Sequence, residues 1–162
     1  GEARVRVEAV GLNFADVFTG LGLYGPVASG EVRGPFVPGL EFSGVVEAIG
    51  QQPRKPFTDS PRTCRARGGQ ITELGEAVWG LAEAAAGKLQ VGDHVMGCMR
   101  FGAYATQVNV PAHQLRQVPQ GWTVEEAAAF PCQSLTVYYA LKRLGALEAG
   151  QTVLIHSMAG GC

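Results

Sequence analysis

The C-terminal segment of the chain carries the sequence pattern with the most direct chemical meaning. An apolar run, Thr152 to Ile155, leads at once into small residues and paired glycines, HSMAGGC, at 156–162. A strand followed by such a turn is how a nucleotide-binding crossover begins, because glycine lets the backbone approach a pyrophosphate at a helix N-terminus. The pattern predicts a strand over 152–155 and the beginning of such a crossover, without the helix that should follow.

Metal and disulfide chemistry is not indicated by residue spacing. The four cysteines, at 64, 98, 132 and 162, are far apart and form no C-x-x-C pair, so neither a structural zinc knuckle nor a disulfide framework is expected. Reduced thiols fit a cytoplasmic protein. His94 and His156 adjoin predicted strands and have no cysteine or carboxylate at ligand spacing, so structural roles are expected for both.

Composition bounds the remaining function classes. The 162 residues are 46% hydrophobic and 17% charged, which is enough apolar material for one ordinary core. A net charge of -1 gives no overall attraction to nucleic acid or anionic lipid, and no run of 18 apolar residues occurs. We expect a small-molecule site and no nucleic-acid or membrane partner. Because the chain opens with Gly1, a native start with any targeting signal is expected to be missing.

Short strands separated by glycine turns should form the scaffold, and the chain has 23 glycines. Period-two alternation predicts a strand at 4–10, and further strands are expected at 41–49, 92–97 and 104–110. Between the first two, 13–19 reads as a short helix with Asn13 as its N-cap and Asp16 in its first turn. These elements predict a mainly β domain with helices, an α+β fold built on a small barrel.

The sequence pattern changes after this barrel and also within it. Thr123 begins a capping box before an alanine-rich helix, which Pro131 should break and Ser134 to Leu144 should resume. Residues 51–90 form an atypical insertion. Its first part, 51–70, has five basic side chains and one acid and predicts a surface loop, whereas apolar residues at helical spacing predict a helix over 71–89.

Six stretches, in this order, resemble the medium-chain dehydrogenase/reductase superfamily and, within it, the zinc-free quinone oxidoreductases of the zeta-crystallin type. They are VEAVGLNFADVFTGLGLYGP (7–26), PGLEFSGVVEAIG (38–50), VGDHVMG (91–97), YATQVNVPA (104–112), EEAAAFPCQSLTVYYAL (125–141) and VLIHSMAGG (153–161). The resemblance implies a GroES-like barrel over 1–122 and the start of a Rossmann domain over 123–162. It also implies a chain truncated inside the glycine turn, with an N-terminal hairpin lost.

The resemblance also bears on metal. Zinc-dependent relatives bind a catalytic metal at the positions that match Asn13, Leu40 and Cys132. An amide and an alkane cannot replace a thiolate and an imidazole, so no metal is expected. Without a Lewis acid, alcohol oxidation becomes implausible, and direct hydride transfer from NADPH to a quinone or enone is expected instead.

Site residues follow from the resemblance. It implies hydrogen-bond donors at Asn13, Asp16 and Tyr24, a nicotinamide neighbour at Thr136, and pyrophosphate contacts at 159–161, which are Ala159, Gly160 and Gly161. Asn13 is also expected to touch the cofactor.

Each position has a structural alternative. Asn13 is a helix cap in that reading, Asp16 a favourable charge at the helix start, Tyr24 a cover for the barrel mouth, and Thr136 a hydroxyl bonded to its own helix. A structural hydrogen bond is expected for Glu41 and a buried apolar role for Cys132, while Phe18 replaces a tyrosine common in relatives.

A second hypothesis is not enzymatic. The chain would be a non-catalytic fragment or a binding module whose basic 51–70 loop contacts an anionic partner. Under the first hypothesis the isolated chain should not turn over, and homodimerisation, usual in the family, should use the missing half.

Overall fold

The computed structural model describes residues 1–30, 34–50 and 89–156. The predicted basic loop at 51–70, the predicted helix up to Lys88 and the glycine turn from Ser157 to Cys162 lie outside these residues. The strands are β1 (Glu2–Gly11), β2 (Glu41–Ile49), β3 (His94–Cys98), β4 (Gln107–Pro111) and β5 (Leu115–Gln117). The helices are α1 (Phe14–Gly20), α2 (Gly25–Ala28), α3 (Val124–Ala129) and α4 (Pro131–Tyr138), with a 3-10 turn at Ala112–Gln114 and a π-helical turn at Tyr139–Leu144.

The five strands form one antiparallel sheet in the order β4-β1-β2-β3-β5. The two outermost strands, β4 and β5, are joined by the three residues Ala112–Gln114. So short a link requires the sheet to curl until its edges approach each other, as in a partly open barrel. The expected α+β fold built on a small barrel is confirmed.

The core lies inside this curled sheet. Ala3 and Val5 alternate with exposed residues on β1, and the cluster they join includes Phe42, Val95 and Leu115, all at most 1% exposed. Burial on β2 does not alternate: Glu41, Phe42, Ser43 and Gly44 are all buried. Strand β2 is therefore covered on both faces, by the core on one side and by packed chain on the other.

Helix starts are where the local sequence rules require them. At α3, the Thr123 hydroxyl accepts the Glu126 N–H, and the Glu126 carboxylate accepts the Thr123 N–H, as the predicted capping box requires. The expectation that Pro131 breaks the helix until Ser134 is only half right. Pro131 ends α3 but occupies the first position of α4, where its missing N–H has no helical partner to lose.

Two predicted strands differ from the structure. The strand expected from Tyr104 begins three residues later, at Gln107, because Tyr104 is held by the Pro38 carbonyl in a loop. The first Rossmann strand expected at Thr152–Ile155 is not formed, and these residues are exposed. A strand needs a neighbour for its backbone hydrogen bonds, and no strand of the described chain pairs with this run.

Candidate active site

A buried carboxylate at the start of β2 organises the candidate site. Glu41 is 1% exposed, and its Oε1 accepts the Asn13 Nδ2 hydrogen at 2.9 Å, while Oε2 accepts the Cys132 N–H at 2.8 Å. The expected structural hydrogen bond of Glu41 is thereby confirmed. Gly11 backs this carboxylate, and a Cβ at that position would overlap Glu41 Oε1, so a side chain there would displace the group.

Asn13 and Asp16 form the second half of the same network. Asn13 is the N-cap of α1, and its backbone N–H donates to Asp16 Oδ2 at 2.9 Å. The Tyr104 hydroxyl donates to the same Asp16 oxygen at 2.8 Å. Burial, followed by this hydrogen bond, raises the pKa of Tyr104 to about 12. Asn13 therefore makes two separate contacts, because its backbone N–H binds Asp16 at the start of α1 while its side chain reaches Glu41.

Two thiols adjoin Glu41. Cys98, at the end of β3, and Cys132, in the first turn of α4, have their sulfurs 3.7 Å apart. The hydrogen bond between them lowers the pKa of Cys98 and raises that of Cys132. The sequence predicts a buried apolar role for Cys132, but the residue is half-buried with its sulfur against another thiol. The long sequence separation of the pair hides this contact from local patterns.

The zinc site of related enzymes does not fit its three matched positions. Asn13 presents an amide nitrogen that already donates to Glu41, and Leu40 has no donor atom. Among the described residues, Glu41 and Cys98 lie close to Cys132, and one possible ligand atom from each of the three lies within 4.8 Å of the others. Both Glu41 oxygens already accept hydrogen bonds, so a cation there would compete with the contacts that hold α1 and α4.

Tyr24 and Thr136, the two other predicted site residues that the structure describes, are exposed. Tyr24, the N-cap of α2, is 50% exposed. Thr136 is exposed on α4, one helical turn beyond Cys132 and so on the same side of that helix. Ala159, Gly160 and Gly161 lie outside the described residues. The structure therefore brings Asn13 and Asp16 together and leaves Tyr24 and Thr136 accessible.

The α1 region adds an apolar surface to these polar groups. Seven large hydrophobic side chains from this region are 46% or more exposed: Leu12, Phe14, Val17, Phe18, Leu21, Leu23 and Tyr24. Phe18, which the resemblance marks as a departure from the family pattern, belongs to this surface. An apolar face beside a buried polar network is the combination that small-molecule sites use for affinity and orientation.

Two members of the network are not found by sequence reasoning. The pattern assigns Tyr104 to a strand, and Cys98 belongs to no pattern at all. Their partners are 88 and 34 residues away in sequence, so no local period could reveal them. For Tyr104 the one sequence signal is the glycine at position 39, where the structure has a positive φ and where a Cβ would overlap Tyr104.

Comparison with known proteins identifies the family of the chain. Residues 1–120 match the family described as alcohol dehydrogenase GroES-like domain. The chain is 34% identical over 161 residues to the synaptic vesicle membrane protein VAT-1 homolog of Danio rerio, covering 99% of this chain and 26% of that protein.

Solved structures agree with this placement. The quinone oxidoreductase from Thermus thermophilus, solved alone and in complex with NADPH, is 34% identical with a TM-score of 0.57, over 90% of this chain and 33% of that one. The CurK enoyl reductase is 26% identical with a TM-score of 0.71, over 99% of this chain and 40% of that one.

The chain spans about a quarter to two fifths of the length of these relatives. Within the described residues, no helix has the length and apolar character needed to cross a membrane.

Proposed function

The chain belongs to the medium-chain dehydrogenase/reductase superfamily, and from that premise we propose that it forms the substrate-side part of an NADPH-dependent quinone or enone oxidoreductase. The reaction is direct hydride transfer without zinc. Support comes from the similarity to a quinone oxidoreductase that binds NADPH and to an enoyl reductase. The boundary at 122/123 between barrel and Rossmann domain is part of the proposal.

The observation that carries the proposal is the orientation of the Asn13 amide. One of its two Nδ2 hydrogens is held by Glu41, a charged acceptor that is 1% exposed. A charge-assisted hydrogen bond of this kind is about twice as strong as a neutral one and fixes the plane of the amide. The second N–H is therefore a preorganised donor for a carbonyl oxygen on which negative charge develops.

The chain's other residues complete a pocket for a flat, conjugated acceptor. Bound NADPH supplies the hydride. The exposed apolar side chains of the α1 region hold the acceptor and exclude water, and Tyr24 offers a second hydroxyl donor at the margin. Asp16 holds the first turn of α1 through the Asn13 N–H, so it positions Asn13 and stays out of contact with the acceptor. Thr136 contributes a hydroxyl for the cofactor amide.

The proposal is tested on the gene product that contains this chain. We expect NADPH oxidation, followed by absorbance, with simple quinones or 2-alkenals, and no change when a metal chelator is added. Asn13→Ala should lower kcat/KM by about 100- to 1000-fold, in line with removal of one oxyanion donor. The matched control is Asn109→Ala, because Asn109 is exposed on β4.

The proposal fails if no quinone or 2-alkenal supports NADPH oxidation, or if activity is lost on metal removal. It also fails in its assignment of Asn13 if Asn13→Ala and Asn109→Ala behave alike.

A further inference from the structure

The contact between Cys98 and Cys132 is not explained by the proposed reaction. We propose that these two residues form a peroxide-oxidisable thiol pair, which closes to a disulfide between β3 and the first turn of α4. The inference does not depend on the proposed function. It concerns a covalent modification site outside the Asn13 amide and the α1 surface.

The backbones of both cysteines lie beside the same residue. Cys98 is the register partner of Glu41 across the β2–β3 pair, and the Cys132 N–H donates to Glu41 Oε2 at 2.8 Å. Glu41 is buried and cannot easily move. The positions of the two backbones, and not only the side-chain rotamers, therefore keep the two sulfurs 3.7 Å apart.

Closure requires a small rearrangement. A disulfide is about 2.05 Å long, so side-chain rotation must bring the sulfurs closer to each other by roughly 1.7 Å. Both residues are half-buried, which leaves a path for an oxidant as small as hydrogen peroxide.

Cys98 is the thiol that should react first. The hydrogen bond from Cys132 stabilises the Cys98 thiolate and lowers its pKa, while burial and the nearby Glu41 charge oppose ionisation of both groups. The Cys98 thiolate attacks hydrogen peroxide, so that an S–O bond forms, the O–O bond breaks and hydroxide leaves as water after protonation. The product is a sulfenic acid on Cys98.

The second step forms the link. The Cys132 sulfur attacks the Cys98 sulfur, an S–S bond forms, the S–O bond breaks, and the departing hydroxide takes the Cys132 proton as water. In total two thiols and one hydrogen peroxide give one disulfide and two waters, and the two electrons pass from sulfur to peroxide.

The experiment uses peptide mapping of the full chain, because trypsin places each cysteine in its own peptide. Cleavage after Lys and Arg gives peptides 63–65, 89–100, 117–142 and 144–162, which contain Cys64, Cys98, Cys132 and Cys162. The protein is incubated with hydrogen peroxide and a metal chelator, free thiols are blocked, and the digest is analysed by mass spectrometry. We expect 89–100 linked to 117–142, with a mass two hydrogens below the sum.

Three variants separate this link from unspecific oxidation. Cys64→Ser with Cys162→Ser should retain the link in full. Cys98→Ser should abolish it, and Cys132→Ser should leave a sulfenic acid at Cys98 that dimedone traps. The proposal is overturned if the native chain, treated with peroxide, shows no 89–100/117–142 species, or shows it no more often than links to 63–65 or 144–162.

Discussion

Exchanging the two polar groups that meet in the network should restore the stability that either change alone removes. In the native chain the Asn13 Nδ2 hydrogen donates to Glu41 Oε1 at 2.9 Å. Asn13→Asp places two carboxylates at that distance, whereas Glu41→Gln places an amide beside an amide. In the double variant the amide introduced at position 41 donates to the carboxylate introduced at position 13, so donor and acceptor are reversed and remain matched.

The magnitudes follow from what each variant leaves unpaired. Asn13→Asp loses a hydrogen bond to a buried charge and adds repulsion, which should cost about 2–3 kcal/mol in free energy of unfolding. In Glu41→Gln one oxygen still accepts the Cys132 N–H, and the Asn13 amide can turn its oxygen to the new NH2 group. That variant should lose about 1 kcal/mol. The single losses sum to about 3–4 kcal/mol, whereas the double variant should lose at most about 1 kcal/mol, which gives a coupling of about 2–4 kcal/mol.

The assay is urea unfolding of the four proteins, followed by circular dichroism and by tryptophan fluorescence at neutral pH and fixed protein concentration. Coincident transitions and equal slopes are needed before the midpoints are converted to free energies. The matched control is Asn109→Asp, because the Asn109 side chain makes an exposed contact with Arg4, and it should change stability by less than about 0.5 kcal/mol.

An additive result would refute the reasoning. If the double variant loses the sum of the two single losses, Asn13 and Glu41 do not interact directly, and the oriented amide on which the proposed mechanism depends does not exist.

Three further changes probe the surrounding contacts. Tyr104→Phe removes the hydroxyl donor to Asp16 and should cost about 1 kcal/mol in free energy of unfolding. Because folding raises the pKa of Tyr104 from 10 to about 12, the stability that this hydroxyl contributes is complete below pH 10 and is lost between pH 10 and 12. In an alkaline titration followed by tyrosine absorbance, the native chain should show one late-titrating group that the variant lacks. Ser43→Ala removes the donor to the Val124 carbonyl from a site that is 0% exposed, so thermal melting should show a loss of about 1–2 kcal/mol, and an unchanged melting temperature would contradict the contact. Thr123→Ala should lower stability by about 1 kcal/mol and Thr123→Ser should recover most of it, whereas equal melting temperatures for both variants would show that the cap is not formed.

Features that depend on a few adjacent residues are predictable from the sequence. The Asn13 start of α1 and the Thr123 capping box are encoded within four residues each. The strand at 4–10 is encoded by its alternation. The expected Rossmann strand at 152–155 is not formed because an apolar run specifies only that the segment is extended, and pairing requires a partner strand.

Features that depend on contacts distant in sequence are not predictable from local patterns. Tyr104 joins Asp16, and Cys98 joins Cys132, across sheet and loop. The family resemblance predicts Asn13 and Asp16 as site residues because members of a family share tertiary contacts. Local sequence patterns do not show those contacts. It does not indicate that Glu41 holds both the amide of α1 and the first turn of α4.

The attachment of helices α3 and α4 to the sheet depends on the alternation of side chains along β2. Glu41 binds Cys132 and Ser43 binds Val124, and these two positions of β2 are two residues apart, so their side chains point the same way. Inserting or deleting one residue between them would turn one side chain toward the hydrophobic interior and release its helix. Length variation among homologous chains should therefore collect in the connections between strands and be absent from residues 41–43.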